Sequence, residues 1–146
     1  SCGYYSFSGS SLPPHLETVA IPVFDDNTAE FGVRESITEQ LIEEFTKDNS
    51  LKISDARNSD SIIEGTITNI RDQAGAYGTD GSVQDIKVYV TVDVKFRDLK
   101  KRKVIWEERL TQWGTYIPGQ EIREDGIAEA VDKLVDDIFN KSIAGW

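Results

Sequence analysis

The stretch IKVYVTVDVKF (86–96) decides the fold. Ile86, Val88, Val90, Val92, Val94 and Phe96 alternate with Lys87, Tyr89, Thr91, Asp93 and Lys95. Side chains of an extended chain point to opposite faces with period two, so this is a strand with one continuous apolar face. That face needs a cover. Residues 31–48 place Val33, Ile37, Leu41 and Phe45 four apart with Ile42 beside them, and residues 120–142 place Ile127, Val131, Leu134, Val135 and Ile138 at three- and four-residue steps. Both patterns predict amphipathic helices.

The flanks of the central strand predict two more strands. Residues 62–71 carry Ile63, Gly65 and Ile67 on one side and Ile62, Thr66, Thr68 and Ile70 on the other, while residues 104–113 put Trp106 and Trp113 on opposite faces. Between them run a glycine-bearing loop, residues 72–82, and a basic turn, Arg97-Asp98-Leu99-Lys100-Lys101-Arg102-Lys103. Upstream, ETVAIPVF (17–24) predicts a buried strand that Pro22 confines to an edge or interrupts with a bulge, because proline lacks the amide hydrogen of a ladder. Asp25, Asp26, Asn27 and Thr28 then offer helix-start chemistry, Asn49-Ser50 ends the helix, and residues 51–54 allow a short strand parallel to the first. The expectation is an α+β two-layer fold. A mixed sheet of about four to five strands carries both helices on one face, in the order β-α-β-β-β-β-α. Residues 17–146 form this single domain behind a tether, residues 1–16, whose Pro13-Pro14 is stiff and whose Tyr4, Tyr5 and Phe7 favour docking over free solvation.

Composition narrows the chemistry. With 26 acidic and 16 basic residues the 146-residue chain has a formal charge of -10, which opposes non-specific attraction to nucleic acid or an anionic bilayer. An anionic partner must therefore be met by a local patch, and the turn bearing Arg97, Lys100, Lys101, Arg102 and Lys103 is the dense one. Lysines of this kind also guard sheet edges against aggregation, so both readings stand. The glycine loop lacks the GK[ST] ending of a phosphate cradle and no helix follows it. Glu35, Glu39, Glu43 and Glu44 align on the first helix without an accompanying His or Cys, and read as a solvated face. His15, the single histidine, lies in the tether and Cys2 is the single cysteine. No dyad, triad or metal set follows from these residues, so the expectation is a binding protein with no enzymatic activity, metal or dissociable cofactor.

Cys2 has two readings from position alone. The sequence contains no methionine, which leads us to expect that a leading segment has been removed. A cysteine at the head of such a chain is either the acylated residue of a bacterial lipoprotein or an incidental free thiol.

The succession CGYYSFSGSSLPP, TVAIPVFDDNT, RESITEQLIEEF, IIEGTITNI, VYVTVDVKFRDL and KVIWEERLTQWGTY, followed by the closing helix, resembles the lipopolysaccharide-assembly lipoprotein family LptE over nearly the whole chain. The resemblance implies an outer-membrane, periplasm-facing lipoprotein of Gram-negative bacteria, with Cys2 as the lipidated residue. Such a protein plugs an LptD-type β-barrel and assists lipopolysaccharide transport and assembly into the outer leaflet during envelope biogenesis. The covalent lipid on Cys2, which would include an amide-linked palmitate-type chain, is then the membrane attachment. Two surfaces are expected to serve that role: a barrel-facing sheet face of Ile62, Ile70, Tyr89, Ile105 and Trp113, and phosphate contacts to lipopolysaccharide from Arg97, Lys100, Lys101, Arg102 and Lys103. A lipoprotein adaptor of another secretion or Tol-type envelope complex is the alternative.

Overall fold

The computed structural model describes residues 12–143, so Cys2 and most of the tether lie outside the described residues. The elements are β1 (Thr18–Ala20), β2 (Asp25–Asp26), α1 (Val33–Asp48), β3 (Lys52–Ile53), β4 (Ser61–Tyr77), β5 (Val83–Asp98), β6 (Lys103–Tyr116) and α2 (Arg123–Ile143). They build one mixed sheet of six strands in the order β3-β1-β4-β5-β6, with β2 pairing β4 further along. The β1–β3 and β1–β4 pairs are parallel and the long β4-β5-β6 meander is antiparallel. The two-layer α+β architecture expected from the alternation is thus the one observed, with one strand more than foreseen.

That extra strand comes from Pro22. β1 runs between β3 and β4 rather than at an edge, stops at Ala20, and the chain resumes pairing only at Asp25, opposite Thr66. Asp25 and Asp26 are therefore ladder residues and do not start the helix. Asp26 instead accepts hydrogen bonds from the N–H and hydroxyl of Thr28 at 2.7 and 2.6 Å. α1 begins after Gly32, whose φ of 84° is open to glycine at little cost, and no side chain caps it. The long loop expected over residues 72–82 is also mostly strand. β4 and β5 stay paired out to Tyr77 and Val83 through two register shifts, leaving a turn over residues 78–82 in which the Gly78 N–H donates to the Ser82 carbonyl at 2.6 Å.

The core lies between the sheet and the two helices. Val88, Val90, Val92, Val94 and Phe96 are buried against Ile37, Leu41 and Phe45 of α1 and Ile127, Val131, Leu134 and Ile138 of α2. The helices meet each other through Phe45 and Phe139, edge to face with centroids 5.0 Å apart. Thr38 is the polar exception on the buried stripe of α1. Its hydroxyl accepts the Phe24 N–H at 3.0 Å and donates to the Arg34 carbonyl at 2.7 Å, so the chain that leaves β1 is pinned to the helix.

Two glycines set how closely the layers approach. A Cβ on Gly65 would stand 2.3 Å from the ring of Phe24, and one on Gly114 would stand 2.0 Å from the Gly126 carbonyl of α2. Phe24 is a rigid, fully buried ring, so it cannot yield to a new methyl without displacing its neighbours. Gly65→Ala is expected to lower unfolding free energy by about 1–3 kcal/mol in urea titrations, and Phe24→Leu in the same chain to restore part of that loss. Unchanged stability would mean that the ring does not lie over Gly65.

Candidate functional site

Two buried or half-buried carboxylates join the incoming chain to the basic turn. Asp98 closes β5 and its side chain is fully covered. One of its oxygens lies 2.6 Å from Nε2 of His15, and the other accepts the Lys101 N–H at 2.8 Å. Asp60, just before β4, accepts the N–H groups of Glu17 and Thr18 at 2.7 and 3.1 Å and pairs with Lys100 at 3.3 Å. The Asp60 carbonyl in turn accepts the Leu99 N–H at 2.8 Å. Residues 15–18 and residues 98–101 are therefore held against the same two acids. Burial alone would raise the pKa of Asp98, but the Lys101 N–H and His15 outweigh it and hold the carboxyl below its usual value. The Glu17 N–H lowers Asp60 against a burial penalty, helped by Lys100 and the Thr18 N–H.

The five expected phosphate-binding cations do not act as one patch. Arg97 pairs with Glu64 across the strands at 3.0 Å and Lys100 is held by Asp60. Lys101, Arg102 and Lys103 are exposed and form no ion pair with a described residue. Arg102 takes a left-handed φ of 55°, which sharpens the turn. With Lys95 and Arg97, Arg102 and Lys103 line a shallow open groove on the sheet surface. The partners at Asp60 and Glu64 were not visible from the cluster itself, because they sit more than thirty positions upstream.

The expected barrel-facing sheet face is different in kind from the expectation. A register shift between Ile67 and Asn69 turns the following residues over, so Ile70 pairs with buried Val90 and packs on the core rather than on the outer face. Ile105 sits at the register shift opposite Phe96 and Arg97 and is also packed against the core. Ile62 is buried at 6% exposure and offers no contact area. Tyr89 and Trp113 do share the outer face as a cross-strand pair, with Trp113 38% exposed, and cations stack on them: Arg71 lies 4.3 Å from the Tyr89 centroid, and Lys87 and Lys133 lie 4.6 and 3.9 Å from that of Trp113. The rest of that face is a ladder of Asp93–Arg109, Lys95–Glu107 and Arg97–Glu64 ion pairs with a Thr91–Thr111 hydroxyl contact. Apart from the Tyr89–Trp113 pair, the uncovered face of the sheet is polar.

The most exposed apolar side chains lie at the far end, beyond the start of both helices, although Val23, Ile53, Val104 and Trp113 are also exposed elsewhere, Val104 beside the basic turn. Phe31 is fully exposed, with Tyr77 at 66% and Ile122 at 62%. Phe31, Val33, Ile127 and Val131 border a shallow groove between the helix starts. The same end is braced by Arg123, which binds Asp72 at 2.9 Å and Glu30, while Tyr116 donates to Asp72 at 3.2 Å. Both acids raise the Arg123 pKa, Asp72 most, so its charge is permanent. Sequence reasoning missed this bracket and its apolar rim. Phe31 and Ile122 each stand beside helix-start residues, and nothing in their spacing separates them from ordinary core positions.

A family model for LptE, lipopolysaccharide-assembly, matches residues 16–142. No curated protein matches the chain. Among solved structures, the hypothetical protein CT253 from Chlamydia trachomatis is similar, with a TM-score of 0.64 at 10% identity over 86% of this chain and 95% of that one. The PelC dodecamer from Paraburkholderia phytofirmans gives 0.56 at 16% identity over 88% and 92%. The lipoprotein GNA1162 from Neisseria meningitidis gives 0.52 at 9% identity over 85% and 99%. At these identities the likeness is one of fold.

The two depressed carboxylates make stability depend on pH with a definite sign. A carboxyl whose pKa is lowered by folding stabilises the native state above its unfolded value, about 3.9 for Asp, and that contribution disappears as pH falls through the lower folded value. Asp98→Asn should cost about 1–3 kcal/mol in urea unfolding near neutral pH. The gap to the parent chain should close in acid, and a gap independent of pH would contradict the assignment.

Proposed function

The chain belongs to the LptE lipopolysaccharide-assembly family, whose model spans residues 16–142, and from that membership we propose that it is an outer-membrane lipoprotein. In this reading it is acylated at Cys2, plugs an LptD-type β-barrel and assists delivery of lipopolysaccharide to the outer leaflet. It does so without chemistry of its own: its role is to occupy the barrel as a braced wedge. The observation that carries the reading is the placement of its most exposed apolar residues. The tether enters at Asp98 and Asp60, and Phe31, Tyr77 and Ile122, the three most exposed large apolar side chains, lie at the opposite end of the meander. A lipid on Cys2 would fix the first end to the membrane and leave the second free to meet a protein wall.

The barrel contact is accordingly assigned to Phe31 and Ile122 in place of the polar sheet face. Both are carried on segments that the Arg123 bracket holds to β4, so they are presented on a rigid base, as buried anchors of protein interfaces are. No side chain packs over Phe31, so removing it costs the monomer little.

Two measurements test this. Intact mass analysis of the protein from native membranes should show a diacylglycerol thioether and an amide-linked acyl chain on Cys2, and an unmodified thiol would end the lipoprotein reading. Phe31→Ser with Ile122→Ser should reduce recovery of the barrel in pull-downs by roughly tenfold or more while leaving urea unfolding unchanged. Full recovery would move the contact elsewhere, and capture of a different envelope protein in place of the barrel would favour an adaptor role.

A further inference from the structure

Lys101, Arg102 and Lys103, which form no ion pair with a described residue, stand on the turn that holds the tether. Asp98 joins the two with its own oxygens, one on His15 and one on the Lys101 N–H, and Asp60 repeats the arrangement with Glu17, Thr18 and Lys100. A carboxylate that binds both segments fixes their distance. Wherever the tether leads, the basic turn is at its root.

Chain length then decides which end of the molecule a membrane anchor would hold down. His15 lies thirteen positions after Cys2, and fully extended that span reaches at most about 45 Å. β5 runs from Val83 to Asp98, and a strand of that length spans about 50 Å. A tether rooted at Asp98 is thus too short for the body to stand upright on its β4–β5 tip with the basic turn uppermost, although a tilted body can still reach the leaflet with that tip. The basic turn, at the root of the tether, is the end held nearest the anchor in every pose.

We infer that the Lys101-Arg102-Lys103 turn seats on the phosphate headgroups of the anionic phospholipid leaflet to which the chain is tethered, and so sets the orientation of the whole protein. The overall charge of -10 favours this arrangement rather than opposing it. An anionic surface repels the acidic body and attracts most strongly the dense, unpaired basic turn, so the anchor supplies residence and the charge asymmetry supplies direction. Each basic side chain near such a surface shifts the equilibrium by about fivefold, so three give on the order of a hundredfold between turn-down and turn-away orientations at low salt. Arg97 and Lys100 contribute little, because Glu64 and Asp60 already hold them. The inference rests on Cys2 as the point of attachment and assigns the phosphates to phospholipid in preference to lipopolysaccharide.

The single cysteine allows the anchor to be supplied chemically. The full chain is coupled through Cys2 to a maleimide lipid in vesicles of phosphatidylcholine, phosphatidylcholine with phosphatidylglycerol, or phosphatidylcholine with lipopolysaccharide, and amine acetylation is followed residue by residue by mass spectrometry. Lys101 and Lys103 should be labelled about threefold or more slowly on phosphatidylglycerol than on phosphatidylcholine alone, recovering at high salt, with Lys87 on the distal half unchanged. Equal rates on the two phospholipid surfaces, or equal slowing at Lys87, would overturn the inference. Slowing on lipopolysaccharide but not on phosphatidylglycerol would also overturn it and assign the turn to the other phosphate source. Because the linkage is made in the experiment, absence of native acylation leaves this footprint unchanged, so the two failures are distinguishable.

Discussion

A carboxylate removed from water must be given hydrogen bonds or it does not stay charged, and Asp98 obtains them from two distant parts of the chain. His15 comes from 83 positions upstream and Lys101 from the turn that follows. Satisfying one buried acid therefore forces the tether and the β5–β6 turn to coexist at one end of the sheet. Asp60 reinforces this with the first two amides of the domain. The distance between the basic turn and the Phe31–Ile122 end follows from that constraint, because the meander between them is long and paired along its length.

The meander itself is stiff for ordinary reasons. Five β5 side chains are buried on one face under α1 and α2, and glycines at 65 and 114 let a phenylalanine ring and a helix backbone approach more closely than any other residue would permit. The opposite face is solvated by cross-strand ion pairs that are individually weak, each partner being well exposed. Their value is in keeping that face wet. The exposed side of the sheet is thus broad and largely polar.

The alternation over residues 86–96 made the sheet legible, and the three- and four-residue steps made both helices legible, because burial of one face acts on every residue of a regular element. What stayed hidden depends on single departures from regularity. The register shift at Thr68 reverses the face of Ile70, and Pro22 splits one expected strand into β1 and β2. Gly32 starts α1 although Asp25, Asp26, Asn27 and Thr28 offered better capping chemistry upstream, because ladder pairing with β4 claimed the two acids first. The basic cluster was visible in the sequence, but which of its members remain free was decided by Glu64 and Asp60, whose proximity is a product of strand register. Cys2 lies outside the described residues, and its lipid remains an expectation carried by the family.

The central claim is that residues 15–18 are fastened to the basic turn through Asp98 and Asp60. Amide hydrogen exchange resolved by residue tests it most directly. The N–H groups of Glu17, Thr18 and Lys101 should be protected well beyond free-chain rates, and Asp60→Asn and Asp98→Asn should release them selectively while the β5 amides keep their protection. Exchange of all three at free-chain rates in the unsubstituted protein would contradict the account.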